Sequence, residues 1–215
     1  RLTAPLCDAI TGQPDGQAIL EMLDRSNLFI VPLDDERRWY RYHRLFGDLL
    51  RQRLQETRPE LVPGLHRRAS EWHEQQGLPA EAIEHALSAG DWERASELIE
   101  KVVEEFLLRS QVATVAGWLD QLPESLVRSR PRLSLYRATT LVLVGQPLEA
   151  LVAALDSLKE HAGLFPGETA ALRAAFAALV IRLAEAEAMA RQALRLIPAE
   201  ATFFHNLALW ALTTS

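Results

Sequence analysis

The chain has 215 residues, 48% of them hydrophobic and 24% charged, and a formal net charge of −6. That balance supports one large or two small globular domains with real cores and excludes a disordered chain. One cysteine, Cys7, excludes an internal disulfide or a cysteine metal site, and it reads as a small buried thiol of a cytoplasmic protein.

No apolar stretch approaches the roughly eighteen residues that a membrane span requires, and there is no export signal, so no membrane partner is expected. The chain opens on Arg1 and closes on "LALWALTTS" with the apolar helical pattern still running. It therefore reads as a segment of something longer.

Gln17 to Ser26 ("QAILEMLDRS") predicts a helix with Ile19, Leu20 and Leu23 on its apolar face and its start at Asp15 or Gly16. Leu28 to Leu33 is then a short apolar run, Asp34-Asp35-Glu36 a polar turn, and Trp39 to His43 alternates aromatic and polar side chains, as a half-buried strand does. This predicts one hairpin at about 28–43. Phe46, Leu50 and Leu54, with Leu45 and Leu49 beside them, return to a spacing of four and mark a helix from about Arg44. Helix, hairpin, helix outlines a winged-helix domain at 1–58.

From residue 59 to 215 the apolar positions recur at three and four and no strand signal remains. Gly77, Gly90, Gly145 and Gly163 punctuate the pattern, and "GLPAEAIEHAL", "GDWERASELIE" and "GQPLEALVAAL" share one shape: glycine, short turn, Ala-rich amphipathic helix. Asp91 is placed to cap a helix whose Trp92, Ala95, Ile99, Val102 and Phe106 form its apolar face. "AEAEAMARQALRLIPAE" has the cadence of the second helix of a tetratricopeptide-type repeat, although the preceding "LVIRL" lacks the usual glycine. The fold class is mainly α: a winged helix with one hairpin, followed by a degenerate tetratricopeptide-like α-solenoid that serves sensing or interaction.

There is no G-x-x-x-x-G-K-[ST], hence no loop of backbone amides and lysine to hold a triphosphate, and no nucleophile triad; the segment is expected to be no enzyme and to hold no cofactor itself. His66 and His73 lie seven apart on one helix, where a metal pair needs three or four, so they read as solvated or packing residues. His85, His161 and His205 carry no pattern. Residues 37–58 hold seven arginines against Asp48 and Glu56, but the helix before the hairpin offers little for base edges, so no direct nucleic-acid binding is expected.

"LCDAITG", "LDRSNLFIVPLDDERRWYRYHRLFGDLLRQRL", "LHRRASEWHEQQGLPAEAIEHALSAGDWERASELIE" and "WLDQLPESLVRSRPRLSLYRA" together resemble the large ATP-dependent LuxR-type transcription regulators, the STAND NTPases similar to the maltotriose-responsive maltose-regulon activator. The resemblance covers most of 1–160. It implies a parent with an N-terminal P-loop ATPase that uses ATP and ADP, a winged helix, a helical-repeat sensor for a small-molecule or protein inducer, and a C-terminal DNA-binding domain. This chain resembles the two middle parts. In that family a histidine closing the winged-helix region touches bound ADP. "YHRLFGDLL" resembles its motif, with His43 in place and Arg44 where an Asp is usual. His43 and Arg44 are thus the candidate nucleotide-phosphate residues, at a helix start whose free amides suit phosphate. The alternatives are that His43 only ends a strand by packing, and that the chain is a freestanding tetratricopeptide-like scaffold.

Overall fold

The computed structural model describes residues 2–145, 147–158, 163–198 and 200–214. His161 of the sequence analysis lies outside them. The chain divides into two compact units, Arg1–Leu98 and Ile99–Ser215.

The first unit begins with α1 (Ala4–Thr11) and α2 (Gly16–Arg25). Thr3 caps α1 by accepting the Leu6 N–H. Gly16 starts α2 where its amide donates to Asp8 Oδ1 at 2.8 Å. A Cβ there would sit 2.6 Å from that oxygen and 2.9 Å from the Ala4 carbonyl, so the close approach of α1 and α2 requires glycine. The hairpin follows as β1 (Ile30–Pro32) and β2 (Tyr40–Tyr42), antiparallel with Ile30 opposite Tyr42 and Pro32 opposite Tyr40. Asp34 closes its loop by accepting the amides of Arg38 and Trp39. Leu2 adds a bridge on the other side of Tyr40, exchanging both backbone hydrogen bonds with it at 2.8 and 2.9 Å. Leu20, Ile30 and the fully buried Tyr40 form the small core, with Leu2, Leu23 and the half-buried Cys7 against it.

α3 (Arg44–Thr57) begins where the spacing predicts. Its apolar stripe is not core, however: Leu45, Leu49 and Leu50 are exposed, and only Phe46 and Leu54 are half-buried. Ile19 of α2 is exposed as well. Spacing identifies which face of a helix is apolar, but not whether this chain supplies anything to cover it.

After a 3₁₀ turn at Pro59–Leu61, α4 (Val62–Gln75) and α5 (Pro79–Ser88) make a helical hairpin turning at Gly77, whose φ is +69°. α6 (Trp92–Leu108) starts at Asp91, whose side chain accepts the Arg94 N–H, after Gly90 at φ +68°. Ala95, Ile99 and Phe106 are buried as expected and Val102 is half-buried, but Trp92 is exposed, a correction to its assignment to the core. As the first residue of the helix its side chain leans back over the Gly90 turn, where a Cβ would lie 3.9 Å from the indole.

The second unit continues through α7 (Val112–Gln121), α8 (Glu124–Ser129), α9 (Pro131–Val144), α10 (Leu148–Ser157), α11 (Pro166–Leu179), α12 (Leu183–Leu196) and α13 (Thr202–Thr214). α9 is the hub: Leu133, Tyr136 and Thr139 are almost fully buried, and Tyr136 packs on Phe204 with ring centroids 6.0 Å apart. Ala174, Ala190 and Ala211 meet where α11, α12 and α13 converge, all at 0% exposure, so the three backbones approach as closely as methyl groups allow. Among the described residues no strand follows residue 42. The architecture is a winged helix followed by a helical-repeat array.

Candidate functional site

β2 delivers His43 to the start of α3. The His43 amide donates to the Phe29 carbonyl at 2.6 Å, extending the hairpin ladder by one bond, and the His43 carbonyl accepts the Gly47 N–H at 2.9 Å, opening the helix. Phe29, held at φ +55°, stacks on Phe46 with centroids 4.9 Å apart, and Tyr42 meets Phe46 edge-on at 5.8 Å. These three rings lock the hairpin to the first turn of α3. Gly47 is buried beneath them, 3.4 Å from the Tyr42 Cβ when a Cβ is placed on it. His43 occupies the N-cap position with φ −53° and ψ 135°, but its side chain makes no capping hydrogen bond and is exposed. The first-turn amides of α3 therefore have no side-chain cap.

Beside this helix start is a cavity of about 270 Å³ lined by Leu2, Arg41, Tyr42, Arg44, Asp48 and Arg51, with Gly47 in its wall. Arg44 is in the lining; His43 is not. Of the seven arginines in 37–58, Arg37 pairs with Asp24 at 3.5 Å, Arg38 with Glu36 at 2.7 Å and Arg51 with Asp48 at 2.6 Å. Among the described residues Arg41, Arg44, Arg53 and Arg58 make no ion pair, and two of those four face the cavity. Burial raises the pKa of the Tyr42 phenol, and burial reinforced by Asp8 raises that of the Cys7 thiol, so both stay neutral near pH 7. With Asp48 offsetting Arg51, the net charge of the lining is that of Arg41 and Arg44, whose guanidinium groups offer planar, forked donors suited to phosphate or carboxylate oxygens.

A second constellation lies on α4 and α5 and is not visible in residue spacing. α4 and α5 bring His66, His73 and His85 together: His66 Nδ1 lies 2.9 Å from His85 Nδ1, and the rings of His73 and His85 stack with centroids 5.2 Å apart. His73 Nδ1 is buried without a hydrogen-bond partner. Desolvation lowers all three pKa values, and for His85, with His66 and His73 adding repulsion, it lowers the pKa to about 4. Spacing along α4 could not show this. The signal was the antiparallel register of a hairpin folded at Gly77, which puts His85 opposite His66. No group of three or more His, Cys, Asp or Glu among the described residues is arranged to hold a metal ion.

Residues 1–62 match the family model of the MalT winged helix domain. The serine/threonine-protein kinase PknK of Mycobacterium tuberculosis (strain H37Rv) and that of Mycobacterium bovis are each 37% identical to this chain over 150 residues, 70% of the chain. The chain spans 14% of the length of these relatives. The winged helix and the array behind it are thus similar to parts of much larger proteins. No helix among the described residues is long and apolar enough to cross a membrane.

Proposed function

We propose that the chain is the regulatory segment of a cytoplasmic LuxR-type ATP-dependent transcriptional regulator, non-catalytic itself, which couples inducer sensing by the helical repeats to a nucleotide-controlled winged-helix switch. The observation that carries this reading is the match of residues 1–62 to the MalT winged helix domain, the hairpin-bearing part that a freestanding repeat scaffold would not need. In the parent, the N-terminal ATPase domain supplies ATP or ADP and the C-terminal domain contacts DNA. His43, exposed and unused as a cap at the start of α3, is the sensor of ADP phosphate, with Arg44 beside it in the basic cavity. Chemistry in this segment is binding and coupling: the closed state is favoured because His43 touches nucleotide there and not in the open state.

His43→Ala in the full-length parent should raise transcription without inducer. A hydrogen bond to a charged group contributes about 1.5–3 kcal/mol, enough to move a two-state ratio by roughly ten- to a hundredfold. A folded variant with unchanged inducer dependence and unchanged ADP affinity would reject the sensor role. The similarity to PknK supports a second output, a kinase domain in place of a DNA-binding one on the same regulatory segment. The reading frame on either side of this segment separates the two: a P-loop upstream and a helix-turn-helix downstream for the first, a kinase domain for the second.

A further inference from the structure

The second unit contains a cavity of about 280 Å³ between α10, α11 and α12. Its interior wall is apolar: Leu155 and Ala177 are buried, and Phe176 and Met189 are half-buried beside them. Val152 stands at the rim with 44% of its surface exposed. Three charged side chains in the lining are already committed. Arg182 pairs with Glu185 at 3.4 Å, and Asp156 has a partner of its own. Arg173 differs, because it is half-buried in the wall and makes neither an ion pair nor a hydrogen bond among the described residues.

A guanidinium stays protonated at any physiological pH and carries five donors in a fixed fork. Partly desolvated between alanine, phenylalanine and methionine, it lacks the anionic partner that such a group ordinarily finds on an α-helical surface. A carboxylate matches the fork with two parallel hydrogen bonds, and an apolar body behind it would replace water against Phe176 and Met189. The volume lies at the lower end of small-molecule sites, which limits the occupant to roughly a dozen non-hydrogen atoms.

We propose that this cavity binds a small monocarboxylate with an apolar body, its carboxylate on Arg173 and its hydrocarbon against Leu155, Phe176 and Met189. The site goes beyond the reading of the winged helix and does not depend on it, since it requires only residues of α10, α11 and α12.

Hydrocinnamate and its neutral amide, hydrocinnamide, are suitable probes, titrated into the full chain at neutral pH with NMR detection of the Met189 methyl and Phe176 ring signals. The acid should bind saturably with a Kd on the order of 0.1–1 mM, as its size allows. The amide should bind about tenfold more weakly or worse, because it loses the charge-assisted pair. Arg173→Gln should abolish the preference for the acid while leaving amide binding in place. Val152→Glu, a change at the exposed rim that does not threaten the core, should repel the acid and spare the amide. Arg191→Gln, which removes an exposed pair with Glu187 outside the cavity, should change neither. Equal affinity for acid and amide, unchanged acid affinity in folded Arg173→Gln, or no saturable shift up to about 10 mM would each overturn the proposal.

Discussion

The hairpins α4–α5 and α11–α12 solve one packing problem with different chemistry. Both pack consecutive helices across a short turn, and both turns need a residue in the left-handed region. The α4–α5 seam is polar. Ser70 donates to the Ala82 carbonyl at 2.7 Å and accepts from Arg94 Nε at 2.9 Å, the seam also holds His73 stacked on His85 with His66 against it, and glycine takes the left-handed position. The α11–α12 seam is dry: Ala174 of α11 meets Ala190 of α12, Ala170, Ala171, Ala177, Ala186 and Ala193 are buried as well, and Ile181 takes the left-handed position at φ +61°. A seam of methyl groups gains stability from proximity and tolerates no added volume, whereas a polar seam is specific but sensitive to protonation.

The largest effect is expected where proximity is greatest. Gly167, near the start of α11, is buried against the end of α12, and a Cβ there would lie 2.6 Å from the Ile197 nitrogen and 2.7 Å from the Leu196 carbonyl carbon. Both are backbone atoms, so relief requires the chain to move. Gly→Ala in a helix ordinarily gains up to about 1 kcal/mol from propensity. Gly167→Ala should instead destabilise by about 2–3 kcal/mol in urea melts, because overpacking outweighs that gain. A more stable variant would show that the α11–α12 approach is looser than described.

Acid should distinguish the polar seam. His85 unfolded has a pKa near 6.5, and folded it is lowered to about 4 by burial first and by His66 and His73 next, with Glu81 opposing. Between those values the unfolded chain binds more protons than the folded one. The stabilisation is therefore complete above about pH 6.5 and is lost as pH falls toward 4. Discounted for the partial exposure of the ring, the loss is on the order of 2 kcal/mol. His85→Phe keeps a ring to stack on His73 and removes the proton site. The stability of the wild type relative to the variant should then fall steadily from pH 7 to 4.5, and a constant difference would mean that His85 titrates alike in both states.

The hairpin was legible in the sequence because period two stands out among periods near four, and helix ends were legible because Gly77, Gly90 and Gly145 lie at positive φ where an L side chain is disfavoured. Three features were not legible. Periodicity marked the apolar stripe of α3 but could not say that Leu45 and Leu49 stay exposed. The histidine cluster depends on two helices folding back, and spacing along one helix carries no such information. The lining of the basic cavity joins Leu2 to α3 through a bridge formed at Tyr40, and a single bridging residue is too short to leave a strand pattern. His43 is nominated by resemblance alone, and the fold adds its exposure at the α3 cap.

The smallest expected effect concerns the missing glycine of "LVIRL". Ile181 fills the position that Gly77 fills in the other hairpin, and it does so with 80% of its surface in solvent, so its side chain contributes almost no burial to offset its backbone. A β-branched residue in the left-handed region places Cβ against the neighbouring carbonyl at a cost of about 1–2 kcal/mol. Glycine removes that cost but gives the unfolded chain more freedom to lose on folding, which returns roughly 0.5–1 kcal/mol. Ile181→Gly should therefore stabilise the protein by about 0.5–1 kcal/mol, whereas Gly77→Ile should destabilise it by more than that. The ordering is measurable as a shift in urea midpoint at constant m-value. If Ile181→Gly lowers the midpoint, the isoleucine is retained by a contact on its exposed face, and the dry seam depends on its turn as well as on its alanines.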